Sequence, residues 1–262
     1  MPSKLYQKDT YLNRNIELLT NETIIEYDLK SANTSLCREY SLLSEKEITK
    51  LEDMPKQKRV VKIGNKMREN PEFKEKLKAS FVDIRRRFFE LNEIEDGDIL
   101  AIRKDAIFCL REVPVTEIGA CNFVKKNVYT SFLRLGNLEI FYAPRFTEEG
   151  NQGIIHVKGI DDDVLKKHEN HMLGFFRTLF KHLETSSREI QISYLRRFID
   201  KYKLCRLDLG YYREFNSASV FRVHDSSTTY DNEAFLPENV FDMLDIDYNF
   251  SEIILPIVKI ML

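Results

Sequence analysis

The first half of the chain alternates between short strand-like runs and helical patterns. Residues 22–28 are compatible with a β-strand and end on Asp28, which predicts a short strand with a polar stop. Residues 34–53 predict a helix in two pieces, because residues 44–47 have the S-x-x-E spacing of a capping box. Residues 58–68 are also compatible with a helix, so helical structure is expected to follow the strand.

The longest helical pattern begins at Pro71 as the first helical residue, with Asn70 as its cap. Its apolar residues recur every three or four positions and define one stripe: Phe73, Leu77, Phe81, Ile84, Phe88 and Leu91. Two short apolar runs follow within residues 99–110, around a polar tip at residues 103–105. They predict a hairpin whose turn lacks the usual Asn-Gly signal.

The second half of the chain changes from strand patterns to helical patterns near Asp161. Strands are predicted at residues 128–135, 138–143 and 154–158. Two long amphipathic helices are predicted at residues 163–183 and 188–203, followed by strand-like segments at 205–212 and 218–224. The order of elements therefore predicts a mixed α/β part followed by a mainly helical part.

These patterns predict an α+β fold, in which an antiparallel sheet has helices on one face and a mainly helical C-terminal portion follows. A soft boundary is expected near Gly150. Residues 1–150 would form the α/β part, with a basic helical insert at residues 55–92. Residues 151–262 would form the helical part, which ends in an acidic tail.

Composition excludes a disordered chain, because 43% of the 262 residues are hydrophobic and 18 are Phe. The four cysteines form no C-x-x-C pair, which predicts reduced, mostly buried thiols in a cytoplasmic protein. Residues 1–15 are polar and show no signal peptide. The longest apolar run, at the C-terminus, is interrupted by Pro256 and Lys259 and is too short to cross a bilayer.

Charge is unevenly distributed along the chain, although the formal net charge is only −2. Residues 55–88 contain twelve Lys/Arg and four Asp/Glu, whereas residues 225–255 contain eight Asp/Glu and no Lys/Arg. The basic block favours a polyanion site, and the acidic tail is a segment able to compete for that site. Two solvated faces of opposite sign are the alternative interpretation.

Two aspartates occur where neighbouring strands of one sheet are predicted. Asp28 ends the first strand, and Asp105 lies at the tip of the hairpin. Mg²⁺ prefers hard oxygen ligands, takes one or two carboxylates and leaves room for substrate phosphates. The pair therefore predicts a phosphoryl-transfer site that uses Mg²⁺ or Mn²⁺. The alternative is that Asp28 caps the following helix and Asp105 only holds a turn.

The sequences around both aspartates resemble catalytic motifs of the palm domain of family B DNA polymerases. "DLKSANTS" at residues 28–35 is similar to the first palm motif, in which Asp28 would be the metal-binding aspartate and Lys30 and Ser31 match the pattern. "KDAIFCL" at residues 104–110 is similar to the end of the third motif, with Asp105 as its essential aspartate. The resemblance covers roughly residues 20–112 and implies a palm-like sheet.

The resemblance also implies an activity, a cofactor and partners. A minimal nucleotidyltransferase of bacteriophage origin would hold Mg²⁺ or Mn²⁺ on Asp28 and Asp105 and act on nucleotides or nucleic acid in the host cytoplasm. The residues implied to bind nucleotide or phosphate are Lys30, Ser31, Asn33, Lys58, Lys62, Lys66 and Lys104. Lys58, Lys62 and Lys66 would share one helix face, at four-residue spacing.

Two positions depart from the palm pattern. Arg103 stands where the family has a further aspartate, and Asn33 stands where it has the tyrosine that guards against a ribose hydroxyl. A non-catalytic, palm-derived module that binds nucleic acid or a partner protein is therefore the alternative function. In that case the acidic tail would compete for the basic cleft.

Three further groups of residues have both a functional and a structural interpretation. His168 and His171 are three residues apart and could share a metal, but Asp161–Asp163 just before them favour helix capping. The aromatic and basic residues within 211–215 could stack on bases or belong to the core. Arg85, Arg86 and Arg87 could contact phosphate or form surface ion pairs.

Overall fold

The computed structural model describes residues 3–147, 150–151, 153–216, 221–222, 229–230 and 247–261. Its strands are β1 (Thr10–Leu12), β2 (Leu18–Leu29), β3 (Ile99–Arg103), β4 (Ala106–Cys109), β5 (Glu117–Ile118), β6 (Cys121–Leu135), β7 (Leu138–Ala143), β8 (Phe146–Thr147), β9 (Gly150–Asn151), β10 (Ile154–Lys158), β11 (Phe221–Arg222) and β12 (Thr229–Tyr230). Its helices are α1 (Ala32–Glu39), α2 (Glu45–Glu52), α3 (Lys56–Glu69), α4 (Pro71–Leu91), α5 (Asp162–Lys166), α6 (Met172–Thr185), α7 (Arg188–Lys203) and α8 (Leu255–Met261). A short helical turn at Asp247–Asn249 and a π-helical stretch at Phe250–Ile254 lead into α8. The predicted α+β class with an antiparallel sheet is confirmed.

The chain divides into two units, one comprising residues 1–15 and 23–128 and the other residues 16–22 and 129–262. Strands β2 and β6 contribute residues to both units. In the first unit the strand order is β1-β3-β4-β2-β6, and in the second it is β2-β6-β7-β10. The division predicted near Gly150 stays a prediction.

The core of the first unit forms where α4 packs its apolar stripe. Ile84 and Phe88 are fully buried, and the Phe88 ring lies 4.3 Å from the Phe123 ring. The helix begins as predicted, because the Asn70 side chain accepts a hydrogen bond of 2.9 Å from the Phe73 amide and Pro71 follows. Leu91, the last residue predicted for the stripe, is exposed because it lies at the C-terminal end of the helix, and burial of the other stripe residues fixes α4 in place.

Two hairpin turns in the sheet use glycine with a positive φ but differ in their surroundings. Gly119, between β5 and β6, has a φ of +59°, and a Cβ there would lie 2.0 Å from the Glu39 carboxylate. That carboxylate accepts a 2.6 Å hydrogen bond from the Ala120 amide and pairs with Arg87 at 2.7 Å. Gly136, between β6 and β7, has a φ of +56° and open space where a Cβ would be. Only glycine fits the first turn, because both backbone and space require it.

The second unit has its own aromatic core, in which α6 packs against α7 and β7. The Phe175 and Phe198 rings stack at 4.1 Å, and the Tyr142 and Phe180 rings stack at 5.3 Å. The prediction of α7 at residues 188–203 is confirmed at both ends. Ring stacking of this kind adds stability beyond the area that the rings bury.

Two predictions for the second unit are wrong. The helix predicted at residues 163–183 is broken into α5 and α6, because the chain turns at His168, whose carbonyl accepts from the amides of His171 and Leu173. The strand predicted at residues 205–212 is instead a 3₁₀ turn at Leu209–Tyr212. Tyr212 is buried against the Tyr202 ring of α7 at 4.7 Å, so helix packing determines the conformation there. The strand predicted at 218–224 lies mostly outside the described residues.

All four cysteines are free, and three of them are buried: Cys37, Cys109 and Cys121. This confirms the prediction of reduced, mostly buried thiols. Among the described residues, the helices are all too short or too polar to span a membrane.

Candidate functional site

The two predicted aspartates lie on neighbouring strands of the first unit. Asp28 is near the end of β2 and pairs in register with Ala106 of β4. Asp105 immediately precedes β4, and its carbonyl accepts a hydrogen bond of 2.9 Å from the Leu29 amide. Antiparallel pairing of β2 with β4 therefore brings residues 28 and 105 to the same end of the sheet.

Contacts from outside the hairpin hold the turn that carries Asp105. Lys104 adopts a positive φ of 54°, which is uncommon for a residue other than glycine. Its amide donates to the Asp9 carbonyl at 2.7 Å, and its own carbonyl accepts from the Arg85 guanidinium at 2.8 Å. These bonds explain how the turn forms without an Asn-Gly pair.

Asp28 and Asp105 line one small cavity of about 230 Å³ in the first unit. Ser31, Asn33, Lys56 and Arg59 supply further polar side chains around it. The structure thus brings together both predicted aspartates, two of the predicted phosphate-binding residues and two cations of the basic block. A cavity of this size is smaller than most sites for whole small-molecule ligands, so a nucleotide would occupy it only in part.

Asp28 does not cap the helix that follows it. The N-cap of α1 is Ser31, which has left-handed backbone geometry with a φ of 49° and makes no side-chain capping bond. Lys30 joins β2 to its neighbour, because its amide donates to the Asn122 carbonyl at 2.9 Å. The capping alternative for Asp28 is therefore wrong, and its carboxylate is directed to the cavity.

Burial and neighbouring charges set the protonation of Asp28. Burial raises the pKa of this carboxyl above its usual value, and the negative charges of Asp105 and Glu26 raise it further, whereas Lys126 and Lys56 oppose the shift. The Lys126 ammonium lies 3.7 Å from the Asp28 carboxylate and 3.9 Å from that of Glu26. A bound cation would stabilise the ionised form of Asp28 by the same electrostatic rule.

Glu26 and Lys126 were missed by the sequence analysis. Glu26 is 1% exposed and accepts a 2.6 Å hydrogen bond from the Asn127 side chain. Residues two apart on a strand point to the same face, so the Glu26–Asp28 spacing was a usable signal. No such signal exists for Lys126, which reaches Asp28 from the neighbouring strand β6. Which strands are neighbours in a sheet cannot be read from the local pattern of each strand.

The basic helix contributes different residues from those predicted. Lys56 and Arg59 of α3 line the cavity, whereas Lys58, Lys62 and Lys66 do not. The Lys66 ammonium instead pairs with Glu47 at 2.8 Å. The four-residue spacing of Lys58, Lys62 and Lys66 does define one face of α3. The face next to the cavity is a different one, which carries Lys56 and Arg59.

Other predicted phosphate contacts are engaged elsewhere. The Lys104 ammonium lies 5.0 Å from the centre of the Phe81 ring. Arg103 donates to the Tyr11 carbonyl at 3.2 Å. Lys30 does not line the cavity. The arginines of α4 all form ion pairs within the protein. The surface ion-pair interpretation holds for Arg86 and Arg87, whose side chains are partly exposed, and is wrong for Arg85, which is buried.

The donor atoms at the cavity suit a hard divalent cation of limited coordination. Two carboxylates and the Ser31 and Asn33 side chains offer oxygen, the element that Mg²⁺ and Mn²⁺ prefer. Within the described part of the chain, no group of three or more His, Cys, Asp or Glu side chains is arranged to hold a metal. A cation held at this cavity would therefore have two carboxylates and would need water and substrate phosphates to complete its coordination.

The remaining candidates have structural contacts of their own. Asp161 caps α5 by accepting from the Asp163 amide at 2.9 Å, which confirms capping there. His168 is fully buried against the Phe215 ring at 4.9 Å, and His171 lies 5.2 Å from the Tyr211 ring. The base-stacking alternative for residues 211–215 gives way to core packing. The acidic tail lies mostly outside the described residues.

Comparison with known proteins gives one informative match. No curated protein matches the chain. The model of the family described as "Bacteriophage PBS1 gene 130 protein" matches residues 1–262 and supports the expected bacteriophage origin. The chain therefore belongs to the bacteriophage PBS1 gene 130 protein family.

Proposed function

We propose that the cavity holding Asp28 and Asp105 is the site of a divalent-cation-dependent nucleotidyltransferase of the polymerase type. The observation that supports this function is the presence of both aspartates, Lys56 and Arg59 around one cavity. Phosphoryl transfer requires little covalent chemistry from the protein and depends on positioning and charge stabilisation. Carboxylates and cations together are the side chains that supply both.

Each side chain has a defined part in this proposal. Asp28 and Asp105 would hold Mg²⁺ or Mn²⁺, which when bound neutralises phosphate charge and stabilises the attacking and leaving oxygens. Lys56 and Arg59 would bind the phosphates of the substrate, and arginine suits paired phosphate oxygens especially well. Ser31 and Asn33 would hydrogen-bond the part of the nucleotide that extends from the cavity.

The test measures nucleotide incorporation by the full chain with Mg²⁺ or Mn²⁺, on primer-template and on free triphosphates. Asp28→Asn and Asp105→Asn should each lower the rate by about a hundredfold or more, because a lost ligand removes several kcal/mol of charge stabilisation. Asp53→Asn is the matched control, since Asp53 is an exposed aspartate of the first unit outside the cavity. Its rate should equal that of the unsubstituted protein.

A second measurement separates binding from chemistry. Titration of Mn²⁺ followed by electron paramagnetic resonance should show a bound ion in the unsubstituted chain and weakened binding in both cavity variants. Loss of rate with no change in Mn²⁺ binding would contradict the metal-holding role. An unsubstituted chain that transfers no nucleotide to any acceptor would remove the enzymatic proposal.

The second candidate function is a non-catalytic module that binds nucleic acid or a protein. Lys126 favours it, because its ammonium already stands beside Asp28 and supplies a positive charge there. In that case Asp28→Asn would leave nucleic-acid affinity unchanged, while Lys56→Ala and Arg59→Ala would weaken it. Competition by the acidic tail stays a prediction of this candidate. The bacteriophage family is consistent with the expected location in the host cytoplasm.

A further inference from the structure

The second unit contains a larger cavity, of about 730 Å³, which shares no lining residue with the aspartate cavity. It is lined by the end of β7, by β10 and by α6. Its polar side chains are Arg145, His156, Glu169, Arg177, Thr178 and Lys181. Ile154 and Ile155 add half-buried apolar surface. The volume falls within the range of sites that enclose small molecules.

The cavity carries an excess of positive charge. The described residues that line it include three cationic side chains, from Arg145, Arg177 and Lys181, and one carboxylate, from Glu169. Arg177 is already ion-paired with that carboxylate and also donates to the Glu169 carbonyl at 3.2 Å. Glu169 therefore leaves the charges of Arg145 and Lys181 without a counterion among the described residues that line the cavity.

Arg145 and Lys181 are both exposed and available to a ligand. Among the described residues neither has a side-chain hydrogen bond or ion pair. Lys181 lies one helical turn after Arg177 on α6, so both side chains project from the same face. Arg145 approaches from the loop after β7. Cations from separate elements thus converge on one concave surface.

Rigid neighbours position the rest of the cavity wall. His156 of β10 is joined to the Tyr129 hydroxyl by a hydrogen bond of 2.8 Å. Thr178 is an exposed residue of α6, and its hydroxyl donates to the Gly174 carbonyl at 3.0 Å. Tyr142 also lines the cavity, and its largely buried ring stacks on Phe180 at 5.3 Å. Side chains held on strands and helices give a preformed site and lower the ordering cost of binding.

We propose that this cavity binds a phosphorylated small molecule of nucleotide size. Arginine and lysine are the side chains that recognise phosphate oxygens through charge-assisted hydrogen bonds. The apolar surface of Ile154 and Ile155 would contact the uncharged part of the ligand. A nucleic-acid backbone is a poorer fit, since its charges are neutralised by cations spread along a surface rather than gathered around one cavity. The site shares no residue with the aspartate cavity and does not depend on the function proposed there.

The test is isothermal titration of the full chain with pyrophosphate, ATP and adenosine, in EDTA and at fixed ionic strength. ATP and pyrophosphate should bind, and adenosine should not. Lys181→Gln and Arg145→Gln should each weaken binding about tenfold or more, the effect of losing one charge-assisted hydrogen bond. Lys167→Gln is the matched control, since Lys167 is exposed at the end of α5 and does not line the cavity.

Three outcomes would overturn this site. The first is no binding of ATP or pyrophosphate at millimolar concentration, and the second is an ATP affinity of Lys181→Gln equal to that of the unsubstituted protein. The third is binding of a single-stranded oligonucleotide that depends on Lys181 and with which ATP does not compete. The last would assign the surface to nucleic acid. The double variant Asp28→Asn/Asp105→Asn should bind ATP normally in EDTA. A failure of ligand binding at this cavity is therefore distinguishable from a failure of the function proposed for the aspartate cavity. Thermal unfolding of each variant establishes that it is folded.

Discussion

Arg85 is a single buried residue that holds the turn beside Asp105. Its side chain is 1% exposed, and its guanidinium donates to the carbonyls of Tyr6 and Lys104, each at 2.8 Å. It also pairs at 2.7 Å with Asp9, whose side chain remains largely exposed. Carbonyl groups left without a donor in the interior are costly, so this one side chain satisfies atoms that strand pairing leaves out.

Replacing Arg85 with methionine tests that role. Arg85→Met keeps an unbranched apolar stem but removes the guanidinium, which leaves the carbonyls of Tyr6 and Lys104 without their donor. The free energy of unfolding should fall by about 3 kcal/mol. Urea unfolding followed by far-UV circular dichroism would show a lower midpoint with an unchanged slope.

Arg86→Met is the matched control for that experiment. Arg86 lies one residue further along α4 and pairs with Asp83 and Glu90 at the surface. Exposed pairs contribute little, so its loss should cost no more than about 1 kcal/mol. Equal destabilisation by both substitutions would show that burial of Arg85 has no special effect.

At the scale of elements, a capping box and an ion pair join the start of α2 to α3. The Ser44 amide donates to the Glu47 carboxylate at 3.0 Å, and that carboxylate also pairs with Lys66 at 2.8 Å. The hydrogen bond from Lys66, followed by those from Ser44, lowers the pKa of Glu47 to about 2. One carboxylate thus serves a helix terminus and a neighbouring helix.

The lowered pKa of Glu47 makes part of the stability depend on pH. Glu47→Gln keeps a side chain suited to the capping box but loses the charge that pairs with Lys66. The unsubstituted chain should be more stable at pH 7, by about 0.5 kcal/mol. A carboxyl whose pKa is lowered by folding stabilises the fold fully at pH values above its ordinary pKa of 4.5. The stabilisation is lost as the pH falls towards the pKa in the folded state, about 2.

Melting temperatures of the unsubstituted protein and of Glu47→Gln, measured from pH 7 downwards, would check this dependence. The difference between them should be constant above pH 5 and should shrink below 4.5. A difference that grows on acidification would have the wrong sign for a carboxyl whose pKa is lowered, and would contradict the pairing.

Elements with strong local signals were predicted well. Asn70 and Pro71 predicted where α4 begins, and the Ser44 capping box predicted where α2 begins, because caps act within one helical turn. β2 is longer than predicted and begins at Leu18. Its added N-terminal residues are two leucines, a threonine and an asparagine, of which the first three are half-buried in succession, so they carry no alternation of buried and exposed side chains.

The elements that were missed are those decided by distant contacts. The break between α5 and α6 occurs within a continuous amphipathic pattern, where burial of His168 against Phe215 bends the chain. The aspartate pair was predicted because two local motifs, in the expected order along the chain, sufficed. Lys56, Arg59 and Lys126 could not be assigned, since their approach to the cavity depends on how helices and strands pack.

For the whole molecule, the two cores differ in how they protect the cysteines. Burial raises the pKa of Cys37 to about 11 and those of Cys109 and Cys121 to about 12. These three thiols belong to the core of the first unit, whereas Cys205 is half-buried and packs at the edge of the second core. Reactivity needs thiolate and access, and the buried three lack both.

Thiol titration of the native protein should therefore reveal two classes. Cys205 should react first, and the other three should react on the order of a hundredfold more slowly, at a rate set by opening of the first core. In denaturant all four should react together. Ellman's reagent followed over time would check this, and Cys205→Ser should remove only the fast phase. Fast reaction of all four in the native state would contradict the packing of the first core.

The contrast between the Gly119 and Gly136 turns has a practical consequence for labelling. The Gly119 turn is filled by the Glu39 carboxylate, so an inserted tag there would displace a group that also binds Arg87. The turn after β6 has no neighbour at Gly136, so a short epitope or fluorophore-bearing peptide inserted after Asn137 would extend into solvent. That turn is the place to attach a reporter for following the second unit without disturbing either cavity.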